Sequence, residues 1–221
     1  MDAVALLIAA TLNAGTPLAL AALGLLLNEK AGVVNLGAEG ILLMAAVAGF
    51  AAAFGSGSPA LGLAAGAAVG AAMAGLLGVL VIWLNTNQYA SGLAISLFGG
   101  GLSAFAGLPY VGKNLPPAPV WPVPVLSDIP WLGPALFRQS PMVYLTIAIA
   151  LALIWFLDRT RSGLVLRAVG ESPEAAHALG YPVRRIRLAA MMAGGLLCGV
   201  AGAFISVLYT PLWVEGMIAG R

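Results

Sequence analysis

The sequence predicts an all-α fold, a polytopic membrane bundle of about six spanning helices, and three observations predict it. Only 8% of the 221 residues are charged and 61% are hydrophobic, whereas an ordinary soluble domain carries about 25% charged residues. Mean hydropathy is +1.00. Uncharged runs exceed the roughly 18 residues that mark a spanning helix. A water-facing surface cannot be built from this composition, which excludes a soluble enzyme, a secreted disulfide scaffold and a nucleic-acid binder. The single cysteine, Cys198, has no partner within the sequence and lies in an apolar run, where it reads as a small packing residue.

The first uncharged run covers residues 3–28 and the second residues 31–84, broken by Gly55-Ser56-Gly57-Ser58-Pro59 and interrupted by one charge, Glu39. Together they predict three helices. Residues 88–109, 141–157 and 188–214 supply three more. No basic segment precedes the first run, so it reads as a retained helix rather than a cleaved signal. The whole of 1–221 is expected to form one transmembrane domain.

Orientation follows from the arginines, because cytoplasmic loops near helix ends retain excess Lys and Arg. Residues 158–187 hold Arg159, Arg161, Arg167, Arg184, Arg185 and Arg187, so this loop is expected inside the cell. Counting spans outward places Lys30 inside as well. The N-terminus and the loop 110–140, with Lys113 and Arg138, then lie outside. Pro116, Pro117, Pro119, Pro122, Pro124, Pro130 and Pro134 forbid a continuous helix in that outer loop. Its Trp121, Trp131 and Phe137 suit either a headgroup anchor or contact with an external partner.

Gly62, Gly66, Gly70, Ala74 and Gly78 recur every four residues along the third span, and Gly195, Gly199 and Ala203 repeat the device in the sixth. Such stripes let helix backbones approach closely in lipid, so packing within the bundle is the expected role.

Polar groups inside the apolar runs carry more information, because a charge near the bilayer centre costs at least about 2.5–3.5 kcal/mol. Glu39 lies among three glycines in residues 32–40, a segment expected to be interrupted. On any helical stretch Asn35 and Glu39 share a face. They either line a solute path, as polar groups on broken helices do, or hold the bundle together, with Glu39 capping a helix end or pairing with Lys30. A second cluster, Asn87, Gln88, Tyr89 and Ser91, opens the fourth span, and Gly99-Gly100-Gly101 follows within it. Residues 85–101 are therefore expected to form another interrupted segment. Amides and a ring suit a base edge and its face; a turn with a helix N-cap explains the same residues.

Residues 171–182 read as a short helix with complete punctuation: Ser172 at the cap, Pro173 first, Glu174 at the positive dipole end, Gly180 as the left-handed stop and Pro182 beyond. So short a helix is unstable alone, which requires something to pack against it. His177, the one histidine, has no ligand-spaced companions and is not read as a metal ligand. No serine with a base and no pair of close carboxylates falls within the spans, so no catalytic residue is assigned. Gly107-Leu-Pro-Tyr-Val-Gly112-Lys113-Asn114 imitates a phosphate-binding loop, but Asn114 replaces the hydroxyl that magnesium requires. The protein is expected to bind no ATP, cofactor or metal of its own.

Four stretches carry a resemblance to a known family: Ala14-Gly-Thr16-Pro17 through Asn28-Glu29-Lys30-Ala-Gly32-Val-Val-Asn35-Leu-Gly37-Ala-Glu39-Gly40; Asn87-Gln88-Tyr-Ala-Ser91-Gly92; Thr160-Arg-Ser-Gly163 through Arg167-Ala-Val-Gly170-Glu171-Ser-Pro173-Glu174-Ala175-Ala176; and Tyr209-Thr-Pro211-Leu-Trp-Val-Glu215 through Gly220-Arg221. The sequence resembles the membrane permease subunits of ABC importers in the branch serving branched-chain amino acids, simple sugars and nucleosides, and the nucleoside-type members within it. The resemblance implies that residues 173–179 are the element coupling the permease to a separate ATPase that binds ATP, with Arg167, Gly170, Glu171, Pro173, Glu174, Ala175, Ala176 and Gly180 in or beside it. It implies a second permease subunit, an external substrate-binding lipoprotein and a place in the inner membrane. It also implies further spans beyond Arg221, so that the sequence is expected to be incomplete at its C-terminal end. Nucleoside import is the expected function. Branched-chain amino acid or sugar import is the neighbouring reading, and a membrane scaffold without a path of its own is the alternative of another class.

Overall fold

A computed structural model describes residues 2–116 and 139–218. Among them run α1 (Asp2–Lys30), α2 (Ala38–Ser56), α3 (Pro59–Gly78), α4 (Gln88–Gly107), α5 (Pro141–Arg159), α6 (Arg161–Glu171), α7 (Pro173–Ala178) and α8 (Val183–Phe204). Six of these, α1 to α5 and α8, are long and apolar enough to cross a membrane. The wide turns Val79–Trp83 and Ile205–Tyr209 prolong α3 and α8. Most of loop 110–140, including Trp121, Trp131 and Phe137, lies outside the described residues.

At the centre stands α8, packed by α3, α1 and α2. Within its most apolar window 61% of residues are buried, against 22% for α5 at the periphery. The α3–α8 crossing is made by backbone rather than side chains. A Cβ on Gly66 would strike Ala203, one on Gly199 would strike the Gly66 carbonyl, and one on Gly195 would strike Ala74. In lipid, where apolar burial gains little, this close approach supplies dispersion over several turns. The helix α4 leans chiefly on α2, and α5 on α6 and α1. Inside α1, Pro17 removes one backbone donor. Nearby, the Thr16 hydroxyl donates to the Leu12 carbonyl at 2.7 Å, and the Asn13 amide donates to Gln139 Oε1 at 2.6 Å.

One expected interruption and one expected helix boundary are corrected. The break before α4 spans only residues 84–87, and the helix runs straight through Gly99-Gly100-Gly101. Gly99 abuts Gly40 of α2, where a Cβ would lie 2.5 Å from the Gly40 carbonyl oxygen. Its missing side chain therefore serves close packing, not a helix stop. The last span begins at Val183 rather than 188, since long arginine side chains let the helix start early while their heads stay wet.

Opposite the arginine-rich end, a short strap closes the bundle. Val111 pairs with Trp213 and Asn114 with Leu212, and the Leu115 N–H donates to the Pro211 carbonyl at 2.8 Å. Trp213 is 1% exposed, and its indole fills the space a Cβ on Gly107 would take. Lys113 Nζ sits 4.7 Å from the centroid of Phe54 and 5.6 Å from that of Tyr110, within cation–π range.

Candidate functional site

The segment between α1 and α2 is non-helical because Gly32, at φ +78°, turns the backbone where other residues are strained. Asn35 lies in this segment and is 6% exposed. Its Oδ1 accepts from the Gly37 N–H at 3.0 Å, the Asx-turn device that leads into α2. Its Nδ2 is buried without a partner among the described residues. The expected shared face with Glu39 is thus corrected: Asn35 precedes the helix and is turned inward, while Glu39 occupies the first turn of α2 and is exposed.

A carboxylate there is favoured by the positive end of the helix dipole. Among the described residues Glu39 forms no ion pair, with Lys30 or otherwise. It opens instead onto a groove of about 400 Å³ whose walls are apolar, among them Pro17, Leu18, Ala21, Leu42 and Ile205. One acceptor-only group against greasy walls suits a neutral ligand with adjacent hydroxyls.

The second polar cluster lies elsewhere. Asn87 Oδ1 accepts from the Tyr89 and Ala90 N–H groups at 2.9 and 3.2 Å, capping α4. Gln88 Oε1 accepts from the Val34 N–H at 3.2 Å, tying this turn to the α1–α2 segment. The Ser91 and Thr86 hydroxyls are 2.8 Å apart, and the Tyr89 ring is exposed. Asn87→Ala is therefore expected to lower the stability of the bundle by about 1 kcal/mol, read as a small drop in the thermal midpoint. An unchanged midpoint would show that the cap contributes nothing.

Asn85 and Gln88 line a larger cavity, about 860 Å³, at the arginine-rich end. The wall opposite them comes from Pro173, Glu174 and His177 of α7 and from Arg184, Arg185 and Arg187 of α8. Gln88 and Glu39 therefore face two different spaces, and neither Asn35 nor Asn87, Tyr89 and Ser91 is among the residues around either.

The helix α7 carries the punctuation expected of it. Ser172 Oγ accepts from the Ala175 N–H at 3.4 Å, and Gly180 takes φ +87° beyond the last turn. Its six residues are held by α6 and α8. Ala176 is 3% exposed and faces that seat, whereas Glu174, Ala175 and His177 face outward. Arg167 folds back onto α5, 3.5 Å from Asp158. Gly170 rests against the Lys30 carbonyl, so it packs α6 onto the end of α1. Glu171 is exposed. Leu179, within the expected 173–179 element but not singled out in it, is 78% exposed at the tip beside Gly180. An apolar side chain directly before a left-handed glycine in a polar loop was the available signal.

Comparison with known proteins gives these features a context. Residues 7–220 match the family described as the branched-chain amino acid transport system permease component. A putative glucose ABC transporter permease of Haloferax volcanii is 40% identical over 220 residues, covering 97% of this chain and 67% of that protein. A guanosine ABC transporter permease of Bacillus subtilis is 36% identical, and a nucleoside ABC transporter permease of Lactococcus lactis 32%, each covering 98% of this chain and 72% of the relative. No solved structure matches. All three relatives are named as permease proteins of ABC transporters. With six apolar helices around a glycine-packed centre and a family match over nearly all its length, the protein belongs to the branched-chain amino acid transport system permease family.

Proposed function

We propose that this protein forms part of the path through which an ABC importer carries nucleosides across the inner membrane. The likeness to nucleoside and guanosine permeases over 98% of its length supports this reading most directly, and the Glu39 groove fits it. A ribose offers vicinal hydroxyls that can both donate to one carboxylate, and a base can lie along apolar walls. Sugar import is the second reading, favoured by the 40% identity to a glucose permease; a hexose presents the same diol. A branched-chain amino acid fits less well: its ammonium would pair with Glu39, but its carboxylate would find no cation among the residues lining the groove.

In this reading α7 docks on a separate ATPase that holds ATP, and a second permease subunit completes the path. An external lipoprotein delivers solute at the strap end. The arginine-rich end is cytoplasmic, by the positive-inside rule. Translocation proceeds by alternating access, with the helices around Glu39 exposing the groove to each side in turn. Membrane lipid surrounds α4 and α5.

Uridine uptake into vesicles carrying the assembled transporter tests the proposal. Glu39→Ala is expected to reduce uptake at least about tenfold, since a hydrogen bond to a charged group is worth roughly 1.5–3 kcal/mol, while the complex still assembles. Unchanged uptake would demote Glu39 to a structural role. Competition by glucose at equal potency would favour the sugar reading. Uptake that survives ATP depletion and collapses with an ion gradient would end the ABC reading, and an absence of any uptake would leave a scaffold.

A further inference from the structure

The 860 Å³ cavity at the arginine-rich end is divided by chemistry. The end of α3 supplies an apolar wall, Val81, Ile82 and Trp83, with Asn85 and Gln88 beyond it. The start of α8 supplies Val183 and then Arg184, Arg185 and Arg187, against a single carboxylate, Glu174. Arg187 Nη2 donates weakly to the Val169 carbonyl at 3.4 Å, and its Nε is buried with no acceptor among the described residues. A buried guanidinium donor without a partner is uncommon enough to need an explanation.

Position supplies a second constraint. Trp83 closes one spanning segment and Val183 opens another, so the cavity lies at the membrane boundary. Leu76, Val79 and Trp83 are all exposed and recur on one face of α3 and its wide turn. This apolar strip leads from the cavity into the hydrocarbon.

We infer that this cavity binds an anionic phospholipid, with its phosphate on Arg184, Arg185 and Arg187 and its acyl tails along the Leu76–Val79–Trp83 strip. Basic pockets between helices at the inner face of a membrane attract such headgroups. Free phosphate would satisfy the arginines but leave the apolar wall wet. An acidic segment of the ATPase would use the cations and ignore the strip. The lipid uses both, and it requires nothing of the transport reaction, so lipid binding here is independent of the role of Glu39.

The experiment measures lipid retained by the assembled transporter after mild detergent extraction from membranes holding phosphatidylglycerol and phosphatidylcholine. The intact complex is weighed by native mass spectrometry. Wild type is expected to retain phosphatidylglycerol in preference to phosphatidylcholine. Arg184→Gln with Arg185→Gln, both exposed side chains, is expected to weaken that retention by about fivefold for each arginine, roughly thirtyfold together. Arg159→Gln, on the exposed end of α5, is expected to change nothing. Equal retention of the two lipids by wild type overturns the inference without recourse to any variant, as does a double variant that behaves like wild type. Inorganic phosphate alone stabilising the delipidated complex as well as phosphatidylglycerol does would transfer the site to a free anion. Lipid retained by the permease subunits and expelled when the ATPase docks would assign the arginines to that partner.

Discussion

Gly70→Leu is expected to abolish accumulation of the folded protein, and Gly70→Ala to lower its thermal midpoint by roughly 5–10 °C, from about 2–3 kcal/mol of overpacking at a few degrees per kcal/mol. The reason lies in what surrounds the missing side chain. A Cβ on Gly70 would collide with the Gly195 carbonyl and lie 2.5 Å from Gly199 Cα and 2.8 Å from its nitrogen. All three are backbone atoms in the middle of α8, so no rotamer change can make room. Relief requires α3 and α8 to separate, which forfeits the close approach of Gly66, Gly195 and Gly199 as well. Gly75 on the same helix is the control. A Cβ there would meet Met192 Cγ at an ordinary 3.5 Å, and alanine gains up to about 1 kcal/mol of helix propensity. Fluorescence-detected size exclusion after heating separates the two. Equal losses for Gly70→Ala and Gly75→Ala would show that the crossing does not rest on backbone contact.

Leu179→Asp is expected to abolish ATP-driven uptake while leaving the bundle folded, a result that depends on α7 docking as proposed. Leucine at 78% exposure contributes nothing to the isolated subunit. Buried in a partner's groove it would contribute about 2 kcal/mol, which is roughly thirtyfold in affinity, and an unpaired carboxylate reverses the sign. Ala175→Arg on the outward face is expected to act in the same direction. Ala176→Arg is a different experiment, because Ala176 is buried in the seat against α6 and α8; it is expected to lower stability whether or not an ATPase is present. Substrate-stimulated ATPase activity measured beside thermal stability distinguishes the two faces. Normal coupling in Leu179→Asp would remove α7 from the transmission path.

Much of this architecture is legible in the order of the amino acids. Hydropathy alone gives six spans, because lipid imposes one length and one composition on each. The short helix is equally readable, since Ser172, Pro173 and Gly180 act through local backbone chemistry that needs no tertiary context. The packing role of the two glycine stripes follows from spacing, whereas the seating of Gly66 and Gly70 against Gly195 and Gly199 is set by the fold. Other features depend on what stands opposite. Gly99 could be a break or a contact, and only Gly40 across the interface decides it. Asn35 and Glu39 are four residues apart, yet a positive-φ glycine upstream sends one inward and leaves the other exposed. Ala175 and Ala176 are chemically identical, and only the seat tells which one the protein keeps for itself. The cationic cavity draws on residues from four separate stretches, 32–33, 81–88, 173–177 and 182–187, and no spacing rule joins them.

The indole of Trp213, lodged in the notch at Gly107, limits how this molecule can move. Withdrawing it would bare on the order of 150–250 Å² of aromatic surface, about 4–6 kcal/mol at roughly 25 cal/mol per Å², offset by about 1–3 kcal/mol because the indole N–H, buried without a partner among the described residues, would reach water. At a net of roughly 3 kcal/mol, thermal agitation would unlatch that clasp about once in a hundred or more visits. The far tips of α4 and α8 therefore travel as one piece, and whatever gate admits solute from that side must swing on a hinge that leaves this clasp shut.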